Sequence, residues 1–460
     1  MVGSQAAGLL VVASPPPALP APRLVEGTEL IGQYQDSGFT QPRYLACRDD
    51  GQVVQLSELV YLLATLVDGH RDLDELADSL GAEIDRTVTR EQVAFLLDNK
   101  LRPPGLVASD IGQAACAPTR PDPLLMLKYR TRLVPERIVW MIAGVFRPLF
   151  AVPMVAVTLA GFVVVDALVL AGGGPGQLVS TVRSFSAQPA LTLLVLAVIL
   201  AVGAFHECGH AAACRYGGAR PGVMGIGLYL VWPAFYSTVT DAYRLARTDR
   251  LRVDLGGVYF NAVSMTVIGV AYLTTGSPWL LVALVALHIE TMWQFLPSVR
   301  LDGYYILSDL VGVPDLFARL GPILHSALPW RDTHPRVAEL KPWTRRIITF
   351  WVALTIPFLG CWIVMFVLLA PQILPVVWTA LLGCLETVAT EVQSAHIAAA
   401  TLAAVQLVLL VLPYAGLTLI TVNLGRRLCH AIRTRGSAPP DQPGTRIPFA
   451  SSRGSTSCAK

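Results

Sequence analysis

The run Phe205-His206-Glu207-Cys208-Gly209-His210 places two histidines four residues apart, with a glutamate directly after the first. Histidines at i and i+4 share one face of a helix, so both imidazoles can reach a single Zn²⁺ ion. Glu207 then points toward the water that the metal activates and can serve as its general base. The motif closes an uncharged apolar stretch that begins at Ala190. Burying two histidines and a carboxylate in such surroundings is costly, which favours a functional site over a pair that only bridges neighbouring helices. Cys208 and Cys214 flank the histidines and read as small helix-packing residues.

The elements that must hold these residues are membrane helices. The chain has 460 residues, 53% of them hydrophobic and only 15% charged, well below the charged share of about 25% in soluble proteins. A net charge of +3 is too small to argue for nucleic acid. The eight cysteines contain no C-x-x-C pair, so neither a disulfide scaffold nor a cysteine zinc site is indicated. Apolar stretches near the 20-residue length of a bilayer crossing are Leu149–Leu170, Ala190–Ala213, Leu255–Thr275, Trp279–Phe295, Ile347–Ala370 and Ile397–Leu424. Leu374–Leu385 is shorter and is not counted. Arginines and lysines gather before the first span, after the second, before the fifth and after the sixth; Arg183 is an exception on the opposite side. The positive-inside rule then puts both termini in the cytoplasm and the histidines toward the cytoplasmic end of the second span.

Zinc needs a further protein ligand. Asp302, in Leu301-Asp302-Gly303, lies at the cytoplasmic end of the fourth span and so at the same depth as the histidines. His288 and Glu290 are rivals because ionisable groups inside spans are functional candidates. On a continuous helix His288 would sit about 20 Å from Asp302, which favours Asp302 and leaves His288 and Glu290 as supporting or packing polar groups. Asp166 reads as an outer-boundary residue.

With both motifs in hand, residues 140 to 425 resemble the site-2 proteases, intramembrane zinc metallopeptidases in which the aspartate of a Leu-Asp-Gly turn completes the H-E-x-x-H site. The resemblance extends to Gly257-Val258-Tyr259-Phe260-Asn261, a Gly-x-x-x-Asn element, and implies that Asn261 contacts substrate backbone or the reacting oxygen. It also implies a membrane-embedded β-segment at Gly225–Tyr236, where an edge strand near the zinc could pair with an unwound peptide. An ordinary cytoplasmic hairpin remains the alternative there.

Residues 28–107 are polar enough to fold in water. Tyr44–Cys47 and Gln52–Gln55 read as strands around Asp49-Asp50-Gly51. Ser57 caps a helix through Leu66, Asp72–Leu80 and Thr89–Asn99 give two more helices, and Leu101–Val107 returns extended. This order, with Asp50–Ser57 and Leu66–Leu76, resembles the PqqD-like winged-helix domain, which binds leader peptides in peptide natural-product pathways by adding a strand to its sheet. A purely structural domain is the alternative; DNA binding is disfavoured because no basic recognition face is present.

The expected architecture is therefore an all-α polytopic membrane protein of about six transmembrane helices with a small membrane-associated β segment, preceded by an α+β winged-helix-like soluble domain. Its parts are a disordered leader (1–27), the PqqD-like domain (28–107), a linker (108–136), the peptidase domain (137–425) and a disordered cytoplasmic tail (426–460). The leader's apolar patch lacks a preceding basic residue, so it does not read as a signal peptide. The expected function is a multi-pass zinc endopeptidase of the cell membrane: Zn²⁺ on His206, His210 and Asp302, Glu207 as base, and a peptide precursor as substrate. Its partners would be the lipid bilayer and an ABC transporter or other peptide-maturation enzymes, with no nucleic acid. The rivals are a regulatory protease of a membrane-bound signalling protein and a non-catalytic export or immunity factor, in which Glu207 would have no purpose.

Overall fold

The fold is that of a computed structural model, which describes residues 21–48, 53–108, 127–173, 189–229, 232–327 and 332–412. The expected leader as far as residue 20, the Asp49-Asp50-Gly51 turn and the expected tail lie outside the described residues.

The N-terminal domain is α+β. Strands β1 (Glu29–Gln33), β2 (Arg43–Cys47) and β3 (Val53–Ser57) form an antiparallel sheet in that order. The sequence reading missed β1, whose residues Glu29-Leu30-Ile31-Gly32-Gln33 do not alternate. The β1–β2 register slips between Leu30 and Gly32, and Gly32 takes a φ of +114°, which a side chain would strain. Helices α1 (Glu58–Leu66), α2 (Leu73–Ile84) and α3 (Arg90–Leu96) follow. Asp72 with Glu75, and Thr89 with Gln92, form reciprocal capping boxes that fix where α2 and α3 begin. Ser57 stands at the N-cap of α1 without a side-chain cap bond. Ala46, Leu56, Leu63, Leu76, Leu80, Val93 and Leu97 close the core. Leu101–Val107, expected to be extended, is instead mostly turn; only Val107 bridges, to Leu24.

The second part is helical: α4 (Glu136–Phe146), α5 (Val152–Ala171), α6 (Pro189–Tyr216), α7 (Arg247–Asp254), α8 (Gly256–Thr275), α9 (Pro278–Gln294), α10 (Asp302–Val311), α11 (Leu320–Ala327), α12 (Pro335–Ala338), α13 (Pro342–Gln393) and α14 (Ile397–Leu412). Among the described residues, four segments are long and apolar enough to cross a membrane: Val152–Ala171, Ala190–Tyr216, Gly256–Thr275 and Pro375–Gln393. This differs from the six spans expected. Helix α9 has 17 residues, about 26 Å at 1.5 Å per residue and at the lower end of the roughly 17–25 residues that cross a bilayer. Ile347–Ala370 is absorbed into the 52-residue α13, whose crossing segment Pro375–Gln393 overlaps the uncounted stretch Leu374–Leu385. Helix α14 is described only to Leu412.

The expected β segment is present and larger than expected. Strands β5 (Met224–Tyr229) and β6 (Trp232–Ser237) pair, and β4 (Leu127–Val134) adds to the free side of β5. Residues 127–134 therefore leave the expected linker. Lys128, Arg130 and Arg132 alternate with Tyr129, Thr131 and Leu133, and the basic side chains hid the strand pattern in an otherwise apolar chain.

Helices α5, α6, α8 and α9 share an apolar core of Val165, Val202, Met265, Leu281 and Leu284. Helices α6 and α8 approach through glycines. A Cβ on Gly209 would lie 2.2 Å from the Gly256 carbonyl oxygen, and one on Gly256 would lie 2.6 Å from that of Gly209. Small residues at a crossing let two backbones touch where lipid gives no hydrophobic drive. Gly209→Ala should force the helices apart and cost roughly 1–3 kcal/mol. A lower melting temperature and weaker metal binding are expected in detergent, with Gly360→Ala, which meets nothing within 4 Å, unchanged. Equal melting curves would refute the tight crossing.

Candidate metal centre

His206 and His210 are buried on α6, one turn apart and facing α8. Their Nε2 atoms lie 3.1 Å from each other. Asp302 closes the third side, with Oδ2 3.1 Å from His206 Nε2 and Oδ1 3.6 Å from His210 Nε2. The aspartate opens α10, and the glycine after it permits this position: a Cβ on Gly303 would lie 2.2 Å from the Phe295 carbonyl oxygen just after α9. Gly257 keeps the opposite wall open, since a Cβ there would sit 2.3 Å from His206 Nε2 and 2.5 Å from His210 Nε2.

The far side of each imidazole is also held. His210 Nδ1 lies 2.7 Å from the carbonyl oxygen of Val253 on α7. A carbonyl only accepts, so Nδ1 carries the proton. His206 Nδ1 lies 3.2 Å from Asn261 Oδ1 on α8. The Asn261 amide nitrogen donates to Thr291 Oγ1 at 3.0 Å and to Gln294 Oε1 at 3.1 Å, both on α9, which fixes its oxygen toward His206. In neutral rings both Nε2 atoms then carry lone pairs. Two lone pairs at 3.1 Å beside a carboxylate repel unless a cation lies among them. Asp302 Oδ2, moreover, is buried without a hydrogen-bond partner among the described residues. Two imidazoles and one carboxylate suit Zn²⁺ with a further position open. His206, His210 and Asp302 thus form a group that could hold a metal ion, with ligand atoms within 4.8 Å of one another.

Glu207 is half-buried beside this group, and its charge acts on both histidines. Asn261, expected as a substrate contact, meets His206, Thr291 and Gln294 among the described residues, and its oxygen keeps a second lone pair for a further partner. His288 and Asp166 do not reach the site. They pair with each other at 2.9 Å, joining α9 to α5, while His288 Nδ1 meets the Leu284 carbonyl oxygen at 2.8 Å and the ring stacks on Phe162. Asp166, expected as an outer-boundary residue, is thereby the partner of His288. Gln294 lies 3.5 Å from Glu290, so Glu290 touches the rim of the Asn261 network.

The sequence reading missed Val253, Thr291 and Gln294. Thr291 and Gln294 are three residues apart on an apolar helix, a spacing that puts both on one face, and this was the available signal. It also missed Asp254, which is half-buried beside Asp309 with its Oδ2 enclosed; desolvation of the carboxyl first, then the charge of Asp309, pushes it well above the usual carboxylate range.

Among known proteins the chain is 29% identical over 104 residues to the protein described as "Putative peptide zinc metalloprotease protein YydH" of Bacillus subtilis (strain 168). The match takes in 22% of this chain and 41% of that protein, so the chain spans about two fifths of its relative's length. No family profile and no solved structure matches.

Replacing His206 or Asp302 by alanine should abolish stoichiometric zinc in the purified protein. Asn261→Ala should retain the site but weaken zinc by about 10–100-fold, as loss of a ligand's orienting partner does. Chelator competition measures both, and full zinc affinity in Asp302→Ala would remove it from the ligand set.

Proposed function

We propose that the chain is a membrane-embedded zinc endopeptidase, of the kind represented by the site-2 proteases, that cleaves a peptide precursor. The observation that carries this reading is the convergence of His206, His210 and Asp302 with Glu207 beside them. Similarity to a protein named as a peptide zinc metalloprotease supports it. A metal held only for structure would need no adjacent base.

Bound Zn²⁺ would supply Lewis-acid polarisation of a peptide carbonyl and make water a nucleophile near neutral pH. Glu207 takes a proton from the attacking water and returns it to the leaving amine nitrogen, so one water is consumed for each peptide bond opened. Asn261 and the Val253 carbonyl hold the imidazole rings in the tautomer that keeps both Nε2 atoms free for the metal. Gly257 leaves room at the centre. The sheet β4–β5–β6 has β6 as a free edge, and Phe235 on β6 lies against Gly203 of α6. An extended peptide added along β6 would run beside the helix that bears the histidines.

The N-terminal domain, in its resemblance to PqqD-like domains, would hold the precursor's leader as a further strand. The precursor, leader removal or maturation in a peptide natural-product pathway, and an ABC transporter or further maturation enzymes as partners, form the rest of the proposal. The arrangement of basic connections supports both termini and the active site on the cytoplasmic side.

Two experiments test the proposal. Glu207→Gln should keep about one zinc per chain and lose cleavage by orders of magnitude; unchanged cleavage would end the peptidase mechanism. For orientation, single cysteines at Gly174 and Gln393 in a cysteine-free background should react with impermeant thiol reagents on intact cells. Cysteines at Thr248 and His334 should not, and labelling of Thr248 would invert the topology.

A further inference from the structure

The N-terminal domain is keyed into the metal-bearing part. The chain between β1 and β2 reaches across to it. Phe39 is buried with Tyr304, Val311 and Trp351, and Gly38 N–H donates to the Gly312 carbonyl at 2.9 Å. A Cβ on Gly38 would lie 2.1 Å from the Val311 carbonyl oxygen, so the approach is specific to glycine. Beside this contact lies a buried polar cluster. Tyr34 donates its hydroxyl proton to Asp309 Oδ1 at 2.9 Å, and Arg250 Nε donates to the same oxygen at 3.0 Å. The Arg250 guanidinium also donates to the carbonyls of Leu245 at 2.8 Å and Gln35 at 3.4 Å, and it lies under the Tyr34 ring, 4.3 Å from the centroid. The Arg250 side chain is 1% exposed and Tyr34 is 1% exposed.

The two ions of this cluster sit on the two short helices that serve the metal centre. Arg250 is three residues before Val253 on α7, whose carbonyl orients His210. Asp309 is seven residues after Asp302 on α10, two turns along the same helix. A buried ion pair is stable only when its remaining hydrogen-bonding capacity is met, and Tyr34 and the Gln35 carbonyl, both from the N-terminal domain, meet part of it.

We infer that Tyr34, Arg250 and Asp309 form a latch by which the docked N-terminal domain holds α7 and α10 in register, so that this domain positions the metal ligands as well as any substrate. All three are positioning residues, since none touches the metal group itself. The inference rests on the metal-site reading above, and it makes a specific prediction: a change in the N-terminal domain should be felt as metal affinity without any peptide present.

The test uses the full chain in detergent with zinc alone, measured by chelator competition, and the absorption spectrum of the Co²⁺-substituted protein as a reporter of ligand geometry. Tyr34→Phe removes one hydroxyl and keeps the ring; it should weaken zinc by about tenfold and alter the Co²⁺ spectrum. Asp309→Asn should do at least as much. Glu339→Gln breaks a half-exposed rim pair with Arg43 at 2.9 Å and should leave both readouts unchanged. Unaltered zinc affinity and spectrum in Tyr34→Phe would overturn the latch, as would an equal loss in Glu339→Gln, which would reduce it to domain docking of any kind. Should Asp309→Asn not fold, Tyr34→Phe still decides. A wild-type chain that binds zinc yet cleaves no peptide would sink the peptidase proposal and leave the latch standing.

Discussion

Two imidazole nitrogens with free lone pairs and a carboxylate meet at one buried point, and that arrangement is repulsive without a cation. Most of what surrounds the point keeps it from relaxing. A free histidine would turn its ring to spread the lone pairs, but His206 is held by Asn261 and His210 by Val253. A free aspartate would swing toward water, but Asp302 opens a helix pressed against the Phe295 carbonyl. Each histidine therefore has a second bond pointing away from the centre, and those bonds, with the seat of Asp302 at the start of α10, determine whether the donors converge.

These restraints link the metal group to four separate helices. Asn261 carries the restraint from α8 to α9 through Thr291 and Gln294, Val253 carries it to α7, and Asp302 carries it to α10. Glycines make the links short enough. Gly209 and Gly256 bring α6 and α8 into backbone contact, Gly257 clears the centre, and Gly303 seats α10. The His288–Asp166 pair works apart from the metal group: it satisfies two ionisable groups within apolar helices and ties α5 to α9, which in turn backs Asn261. Among the described residues, the metal-centred network and this strut are separate sets of polar contacts.

The parts of this arrangement that were legible in the sequence depend on local spacing. The i, i+4 histidines, the glutamate between them and the cap residues Asp72 and Thr89 each announce themselves within a few positions. Asp302 could be matched to the histidines by depth, because a span boundary is also a local signal. What stayed hidden depends on partners far along the chain. Tyr34 and Asp309 are 275 residues apart, and neither has a neighbour that marks it. Strand β4 was concealed by its own basic residues. Length alone is a poor guide to crossings here: α9 has only 17 residues and α13 runs through two expected apolar stretches without a break. Asn261 was read through resemblance as a substrate contact, and only the positions of Thr291 and Gln294 reveal how its hydrogen bonds are used.

The docking of the N-terminal domain changes the physical account of substrate delivery. A domain on a flexible tether raises the local concentration of whatever it binds, and the gain depends on linker length. A domain whose loop is buried beside α10, with Phe39 in the core and Gly38 against Val311, has no such freedom. A leader held on its sheet would lie at a fixed distance from Glu207, so the spacing between leader and scissile bond, rather than concentration, would select the cut. The same rigidity means that a leader-binding role and the positioning role would be inseparable by simple deletion. Removing residues 28–107 takes away any leader site and, with Tyr34 and Gln35, the partners of a buried arginine and aspartate next to the candidate metal centre. Binding and positioning can be separated only by changes as small as one hydroxyl, because the loop that docks the domain also completes the charge balance beneath the ligands.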